Sequence, residues 1–132
     1  VLTWSGTPAT SQAVTWRTDT SVAKAVGQIA LSEGGPGFDP LNTKVRPVAE
    51  KVTTVDARTE FLRSDLFEAN YHSVNFTGLK PKTRYVYRVG DGSVWSEWFE
   101  FQTPSDGPEP LRFIYFGDAQ NDLKSHWSRV VR

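Results

Sequence analysis

The sequence predicts an all-β fold, an antiparallel β-sandwich of two sheets, followed by a short strand-helix segment of α/β character. Two observations support this prediction. Seven short extended segments are separated by turn-forming residues, and there is little helical periodicity before residue 110. Short strands at regular spacing are typical of two packed antiparallel sheets, whereas α/β folds alternate strands with helices.

The individual strands are predicted from the alternation of side chains with a period of two. In the second strand, Val14 and Trp16 share one face and are expected to point into the core. Pro47 restricts the fourth strand to a sheet edge or a bulge, because proline has no amide donor. The predicted strands, in chain order, span residues 1–4, 12–18, 25–31, 45–55, 71–79, 84–89 and 95–103.

The connections between these strands are predicted from turn-forming residues. Glycine and proline in residues 34–37 end the third strand and indicate a long loop. The apolar spacing in residues 56–70 fits a short helix or an irregular crossover equally well, and we expect a loop there. Asp91 and Gly92 predict a two-residue primed turn, because such turns need positive φ. This turn would join the last two strands in a hairpin.

The character of the chain changes after Thr103. Residues 104–110 are prolines, glycine and polar residues, which is the composition of a stiff linker. An apolar strand pattern at 111–116 and a helical pattern at 123–131 form the opening of a βαβ unit. Parallel strands are normally buried on both faces, so this orphan strand is expected to pack on the sandwich or to pair with another molecule. We expect a sandwich domain over 1–106, a linker over 107–110, and the first strand and helix of a truncated domain over 111–132.

The composition narrows the classes of function. Lys and Arg number 15 and Asp and Glu number 15, so no broad charge attracts nucleic acid or an anionic membrane surface. No apolar run in the sequence approaches the ~18 residues that a membrane-spanning helix needs. The absence of cysteine leaves the fold to packing alone and leaves the compartment open. Because the chain begins without methionine inside an expected strand, we expect it to be a piece of a longer protein.

Residues 79–87 (Leu-Lys-Pro-Lys-Thr-Arg-Tyr-Val-Tyr) resemble the corner that precedes the F strand of fibronectin type III domains. The resemblance implies a fibronectin type III or immunoglobulin-like sandwich in which Tyr85 hydrogen-bonds back to nearby backbone. The alternative interpretation is that Tyr85 and Tyr87 are simply alternate core residues. Neither interpretation assigns a function, because such sandwiches carry many functions.

Residues 113–118 (Phe-Ile-Tyr-Phe-Gly-Asp) resemble the first strand and first metal-ligand motif of calcineurin-like metallophosphoesterases. A carboxylate at the carboxyl end of a buried strand can hold a hard cation beside phosphate. The order of sandwich, linker and this motif is similar to that of purple acid phosphatases, and residues 71–79 resemble the end of their N-terminal domain. Gln120 stands where many relatives have glycine, which speaks against an Fe(III)-tyrosinate centre more than against the superfamily.

The resemblance implies a parent protein that is a secreted, acid phosphatase-like hydrolase of phosphate esters, located outside the cell or in the periplasm. It implies a dinuclear centre of Fe, Zn or Mn in that parent, with Asp118 as an early ligand and the chain's own catalytic domain as a partner. The other ligands would lie after Arg132. One aspartate supplies about one bond of such a centre, so we expect this chain alone to have no catalytic residues and no activity. The alternatives are a non-catalytic fibronectin-like binding or adhesion module, and a sandwich that only spaces the catalytic domain.

The two histidines and a glycosylation sequon have simpler interpretations. His72 and His126 have no partner at metal-binding spacing, and both are expected at the surface or in packing. Residues 75–77 (Asn-Phe-Thr) form a sequon that matters only in a host that glycosylates secreted proteins.

Residues 95–98 (Trp-Ser-Glu-Trp) are similar to the tryptophan-serine box of cytokine-receptor fibronectin modules. Arg84 and Arg88 on the neighbouring strand are placed to stack on these tryptophans by cation–π contact. Phe99 replaces the second serine of the box and cysteines are absent. We therefore expect local stacking and no receptor function.

Overall fold

The computed structural model describes residues 1–32, 51–110, 112–115, 117 and 123–126. Within these residues the fold is two four-stranded antiparallel sheets. The first sheet has the strand order β1-β2-β6-β5 and the second has the order β4-β3-β7-β8. This arrangement confirms the predicted all-β sandwich. The elements are β1 (Leu2–Thr3), β2 (Ser11–Thr18), β3 (Val26–Leu31), β4 (Thr53–Asp56), β5 (Arg58–Arg63), β6 (Glu68–Thr77), β7 (Arg84–Gly90), β8 (Phe99–Gln102) and α1 (Leu123–His126).

The core lies between the inner faces of the two sheets. Strands β2 and β6 form a continuous antiparallel ladder from the Ser11–Thr77 pair to the Thr18–Asn70 pair. Alternation along these strands buries one face, as predicted, and Trp16 packs against the same cluster as Val14. The buried side chains of the core cluster are Val14, Ile29, Val74, Phe76, Leu79, Tyr85 and Tyr87.

At Gly27 the second sheet packs closely against side chains of the first. A Cβ atom at this position would lie 2.9 Å from Phe76 Cζ and 2.9 Å from Val74 Cγ1. Both partners are fully buried core side chains with little room to move. Strand β3 therefore needs a residue without a side chain where it faces β6.

The expected loop over residues 56–70 is wrong. Arg58–Arg63 forms strand β5, which pairs with β6 from the Arg58–Ser73 pair to the Arg63–Glu68 pair. This strand is at the edge of the first sheet and is mostly exposed. Since neither face is fully buried, the sequence has no strict alternation there and the strand cannot be recognised from periodicity. In residues 45–55 only the end is described, where β4 covers Thr53–Asp56.

The hairpin between β7 and β8 forms, but without the predicted two-residue turn. Gly90 pairs with Trp95, which leaves four residues in the loop, and only Gly92 among them has positive φ (97°). The Asp91 carboxylate accepts the amides of Ser93 and Val94, each at 2.7 Å. This side chain adds to the backbone bond from the Asp91 amide to Val94 O at 3.2 Å and stabilises a four-residue turn instead of a primed one.

The strand after this hairpin is shorter than predicted. Only Phe99–Gln102 of the expected 95–103 strand forms β8. The Ser96 amide still donates to Val89 O at 2.8 Å, but the Val89 amide donates to the Ser96 hydroxyl at 3.1 Å. The serine side chain thus replaces a backbone acceptor and interrupts the ladder.

The segment after the linker also differs from expectation. Residues 112–115, in the expected strand over 111–116, have no regular secondary structure. Phe113, Ile114 and Tyr115 are 79%, 79% and 86% exposed, so they do not pack on the sandwich. A parallel strand needs neighbouring strands for its hydrogen bonds, and residues 112–115 pair with no strand of the described part. The helix expected over 123–131 is described only at Leu123–His126.

Candidate functional site

The predicted metal ligand, Asp118, and its neighbour Gln120 lie outside the residues that the structure describes. Gly117, which precedes the aspartate, is exposed. His126 is the last described residue of α1, but its side chain lies outside the described part. The ligand role of Asp118 and the interpretation of His126 stay predictions.

His72 lies on β6 in the first sheet, and its side chain is fully buried. Its Nε2 atom is 2.8 Å from the Thr18 hydroxyl and its Nδ1 atom is 2.9 Å from the Thr59 hydroxyl. The Trp16 ring packs beside it, with 5.3 Å between centroids. The imidazole therefore connects three neighbouring strands, β2, β6 and β5, and the packing role expected for His72 is confirmed.

The hydrogen bonds of His72 assign its tautomer. The Thr18 hydroxyl donates to the carbonyl of Asp19 at 2.8 Å, so it accepts from Nε2–H. The Thr59 hydroxyl then donates to Nδ1, because a neutral imidazole has one donor and one acceptor. No lone pair is left for a metal ion. Burial lowers the pKa of His72 below its usual value, which keeps the ring neutral.

The acidic groups that the structure describes do not assemble a metal site. Among the described residues there is no group of three His, Cys, Asp or Glu side chains that could hold a metal ion. The carboxylate of Asp19 accepts hydrogen bonds from the hydroxyl and the amide of Ser21, and these bonds lower its pKa. The pKa of Asp91 is lowered by its bonds to the amides of Val94 and Ser93. Both carboxylates stabilise loops, so these residues do not fit a metal centre.

An arginine stacks between two tryptophans beside the β7–β8 hairpin. The guanidinium carbon of Arg88 is 4.2 Å from the Trp95 ring centroid and 4.7 Å from that of Trp98. Its Nε donates to Gln28 Oε1 at 2.8 Å, which fixes the plane of the group. Arg84 instead pairs with Glu100 at 3.4 Å. The predicted stacking is thus confirmed for Arg88 and wrong for Arg84, whose carboxylate partner lies diagonally across the β7–β8 pair, opposite Val86.

The sequon lies on the outer face of β6. Asn75 and Thr77 are exposed while Phe76 between them is buried in the core, as alternation requires. The Asn75 amide nitrogen is 3.5 Å from the Ser5 hydroxyl. The side-chain geometry leaves the amide accessible, and its modification stays a prediction.

The corner before β7 contains a tyrosine hydrogen bond. The Tyr85 hydroxyl accepts the amide of Lys80 at 2.9 Å. Tyr85 therefore has the corner role that the resemblance implied, in addition to its place in the core. Tyr87 is an ordinary core aromatic, and burial raises its pKa.

Thr103 completes this corner, and sequence reasoning did not find it. Its side chain is fully buried. Its hydroxyl donates to the Lys80 carbonyl at 2.6 Å and accepts the Thr83 amide at 2.9 Å. A threonine at a strand end is unremarkable in a sequence, so no local pattern could have singled it out.

A groove lies where the chain leaves this corner. It encloses about 610 Å³ between the corner and the linker that follows it. It brings together charges of both signs and no nucleophile–base pair within the described residues. Its lining consists of Lys82, Gln102, Thr103, Pro104, Ser105, Gly107, Glu109, Pro110 and Arg112.

The strand orders of the two sheets, with the tyrosine corner, define a sandwich of the immunoglobulin-like, fibronectin type III kind. No helix of the described part is long and apolar enough to cross a membrane. The sequence model of one protein family, described as "Purple acid Phosphatase, N-terminal domain", matches residues 1–103. The chain therefore belongs to the family of purple acid phosphatase N-terminal domains. This confirms the resemblance to the N-terminal domain of those phosphatases.

A curated relative is similar to part of the chain. Purple acid phosphatase 23 of Arabidopsis thaliana is 46% identical over 52 residues, which cover 36% of this chain and 11% of that protein. The chain thus matches only about a tenth of the relative's length. No solved structure matches the chain.

Proposed function

We propose that this chain is the accessory N-terminal domain of a longer metal-dependent phosphoesterase, an acid phosphatase-like hydrolase of phosphate esters. The observation that carries the proposal is the family match over residues 1–103. The Gly117–Asp118 motif that follows the linker supports it, because it lies where a catalytic domain would begin. An extracellular or periplasmic location follows from the same family relationship.

Asp118 is the proposed contribution of this chain to a dinuclear Fe, Zn or Mn centre. Such a centre, when bound, polarises a phosphoryl oxygen and activates a water molecule. It needs ligands from several loops, and the described residues offer no group that fits one. The chain by itself is therefore expected to be inactive, with its partner, the catalytic domain, supplied by the longer polypeptide.

The test compares this chain with the longer gene product. Metal content and hydrolysis of a phosphate monoester are measured for both, and for Asp118→Asn in the longer protein. We expect activity in the longer protein alone, and a loss of at least about 10–100-fold in Asp118→Asn, since even groups that only support metal ligands have effects of this size. Asp106→Asn, an exposed linker aspartate, is the matched control and should keep full activity.

A non-catalytic binding or adhesion module is the second candidate. It is favoured by exposed apolar side chains that lie together in the β5–β6 hairpin, among them Phe61 at 58%, Leu66 at 90% and Phe67 at 40% exposure. This candidate requires that both proteins lack phosphatase activity and tightly bound metal. If the longer protein kept its activity in Asp118→Asn, it would still be an enzyme, but Asp118 would not be a metal ligand.

A further inference from the structure

Lys82 has an unusual backbone conformation for its residue type. Its φ is +49°, and among the described residues it is the one non-glycine residue with positive φ. Glycine and asparagine adopt this left-handed region most readily, because a longer side chain crowds the backbone there. The strained backbone of Lys82 therefore indicates a structural or functional role for its side chain.

Two of the three hydrogen-bonding groups of Lys82 contact the segment that leaves the sandwich, and the third contacts the end of β8. Its amide donates to the carbonyl of Pro104 at 3.1 Å. Its carbonyl accepts Gln102 Nε2 at 3.5 Å. Its ammonium group forms an ion pair with the carboxylate of Glu109. One corner residue thus holds the start and the far part of the linker.

The linker has an anchored start and three prolines, which reduce its conformational freedom. Thr103, just before it, is fixed by its buried hydroxyl and by its amide, which donates to Thr83 O at 3.0 Å. Proline fixes φ at three of the next seven residues, residues 104, 108 and 110. With one end anchored and three φ angles fixed, a contact at Glu109 restricts the direction of the segment.

We propose that Lys82 is a clasp that holds the linker against the tyrosine corner and so fixes the direction in which the chain leaves the sandwich. A domain that follows the linker is then presented preferentially in one orientation. The ion pair is partly exposed, so its effect is on orientation and is small in stability. The proposal rests on these contacts and holds whether or not the following domain is a phosphoesterase.

The test measures the linker's direction in this chain. The sequence has no cysteine, so spin labels can be attached at exposed positions through Lys24→Cys on the sandwich and Arg112→Cys after the linker. The key variant is Lys82→Asn, which tolerates the left-handed backbone but cannot reach Glu109. Lys82→Arg keeps the charge and the reach, and Lys80→Gln removes a neighbouring exposed lysine as the matched control.

In the spin-labelled chain without further substitutions, we expect a narrow distribution of the distance between the two labels at low ionic strength. In Lys82→Asn the ratio of clasped to released linker should fall by about two- to fivefold, the range for a partly exposed ion pair. The distance distributions of Lys82→Arg and Lys80→Gln should match that of the unsubstituted chain. The distribution of Glu109→Gln should match that of Lys82→Asn. Salt at about 1 M should shift the distribution of the unsubstituted chain towards that of Lys82→Asn, because exposed charges are screened.

Three results would overturn the clasp. The first is a broad distance distribution in the unsubstituted chain, and the second is an unchanged distribution in both Lys82→Asn and Glu109→Gln. The third is a broadening in Lys80→Gln equal to that in Lys82→Asn. Thermal unfolding of each variant checks that the sandwich is intact. If Lys82→Asn unfolds the sandwich, the comparison of Glu109→Gln with the parent chain decides alone. None of these outcomes depends on phosphatase activity.

Discussion

Replacing Tyr85 with phenylalanine separates the corner role of this residue from its role in the core. The hydroxyl of Tyr85 accepts the Lys80 amide at 2.9 Å, and its ring stacks on Phe101 with 5.8 Å between centroids. Tyr85→Phe keeps the ring and removes only the acceptor. Tyr87→Phe is a matched control, because both tyrosines lie on β7 and both are 8% exposed.

The expected magnitude follows from the state of the Lys80 amide after the change. A neutral hydrogen bond contributes about 1 kcal/mol net, and a buried donor without a partner costs about 1–3 kcal/mol. The Tyr85–Lys80 bond is partly buried, so the free energy of unfolding should fall by about 1–3 kcal/mol. At roughly 4 °C per kcal/mol for a domain of this size, Tm should fall by about 4–12 °C. The Tyr87 hydroxyl has no hydrogen-bond partner among the described residues, so Tyr87→Phe should change stability by less than about 0.5 kcal/mol.

The measurement is urea and thermal unfolding of the parent chain and both variants, followed by far-UV circular dichroism. Equal m-values would show that the compactness of the states is unchanged. If Tyr85→Phe and Tyr87→Phe had the same stability, the corner hydrogen bond would contribute nothing. Tyr85 would then be only an alternate core residue.

The remaining predictions concern the buried histidine and the stacked arginine. Burial lowers the folded-state pKa of His72, so below about pH 6.5 the unfolded state binds a proton that the folded state does not. Stability should therefore fall with decreasing pH by up to about 1.4 kcal/mol per unit, and level off below the folded pKa. Urea unfolding as a function of pH should show this component in the parent chain and not in His72→Gln, and parallel pH profiles would contradict it. Arg88→Ala and Trp98→Ala should show a coupling free energy of about 0.5–2 kcal/mol in a double-mutant cycle. Arg84→Ala with Trp98→Ala is the control cycle, and equal coupling in both would rule out specific stacking.

Strands with one buried face could be predicted from the sequence, and strands with two exposed faces could not. In β2, Val14 and Trp16 alternate with less buried neighbours because only one face meets the core. In β5, adjacent Phe61 and Leu62 are both exposed at the sheet edge. Its position is set by pairing with β6, which is a non-local interaction.

The candidate site divides in the same way. The motif at Asp118 is a local sequence pattern, and its role stays a prediction because it lies outside the described residues. The packing role expected for His72 is confirmed, but its two threonine partners come from different strands. Asp91 predicted a turn correctly, while the turn's type depends on where its carboxylate points.

The sequence by itself determined the sandwich class and the family, because alternation, turn residues and the corner motif are local properties. Only the tertiary structure decided why Gly27 must lack a side chain, what Thr103 binds, and where the Lys82 ammonium points. Each of these depends on atoms from segments that are distant in the chain: Phe76 beside Gly27, Lys80 beside Thr103, and Glu109 beside Lys82. Phe76 meets Gly27 only when the two sheets have packed, and the other two pairs meet only when β7 and β8 have paired. A local pattern cannot contain such partners.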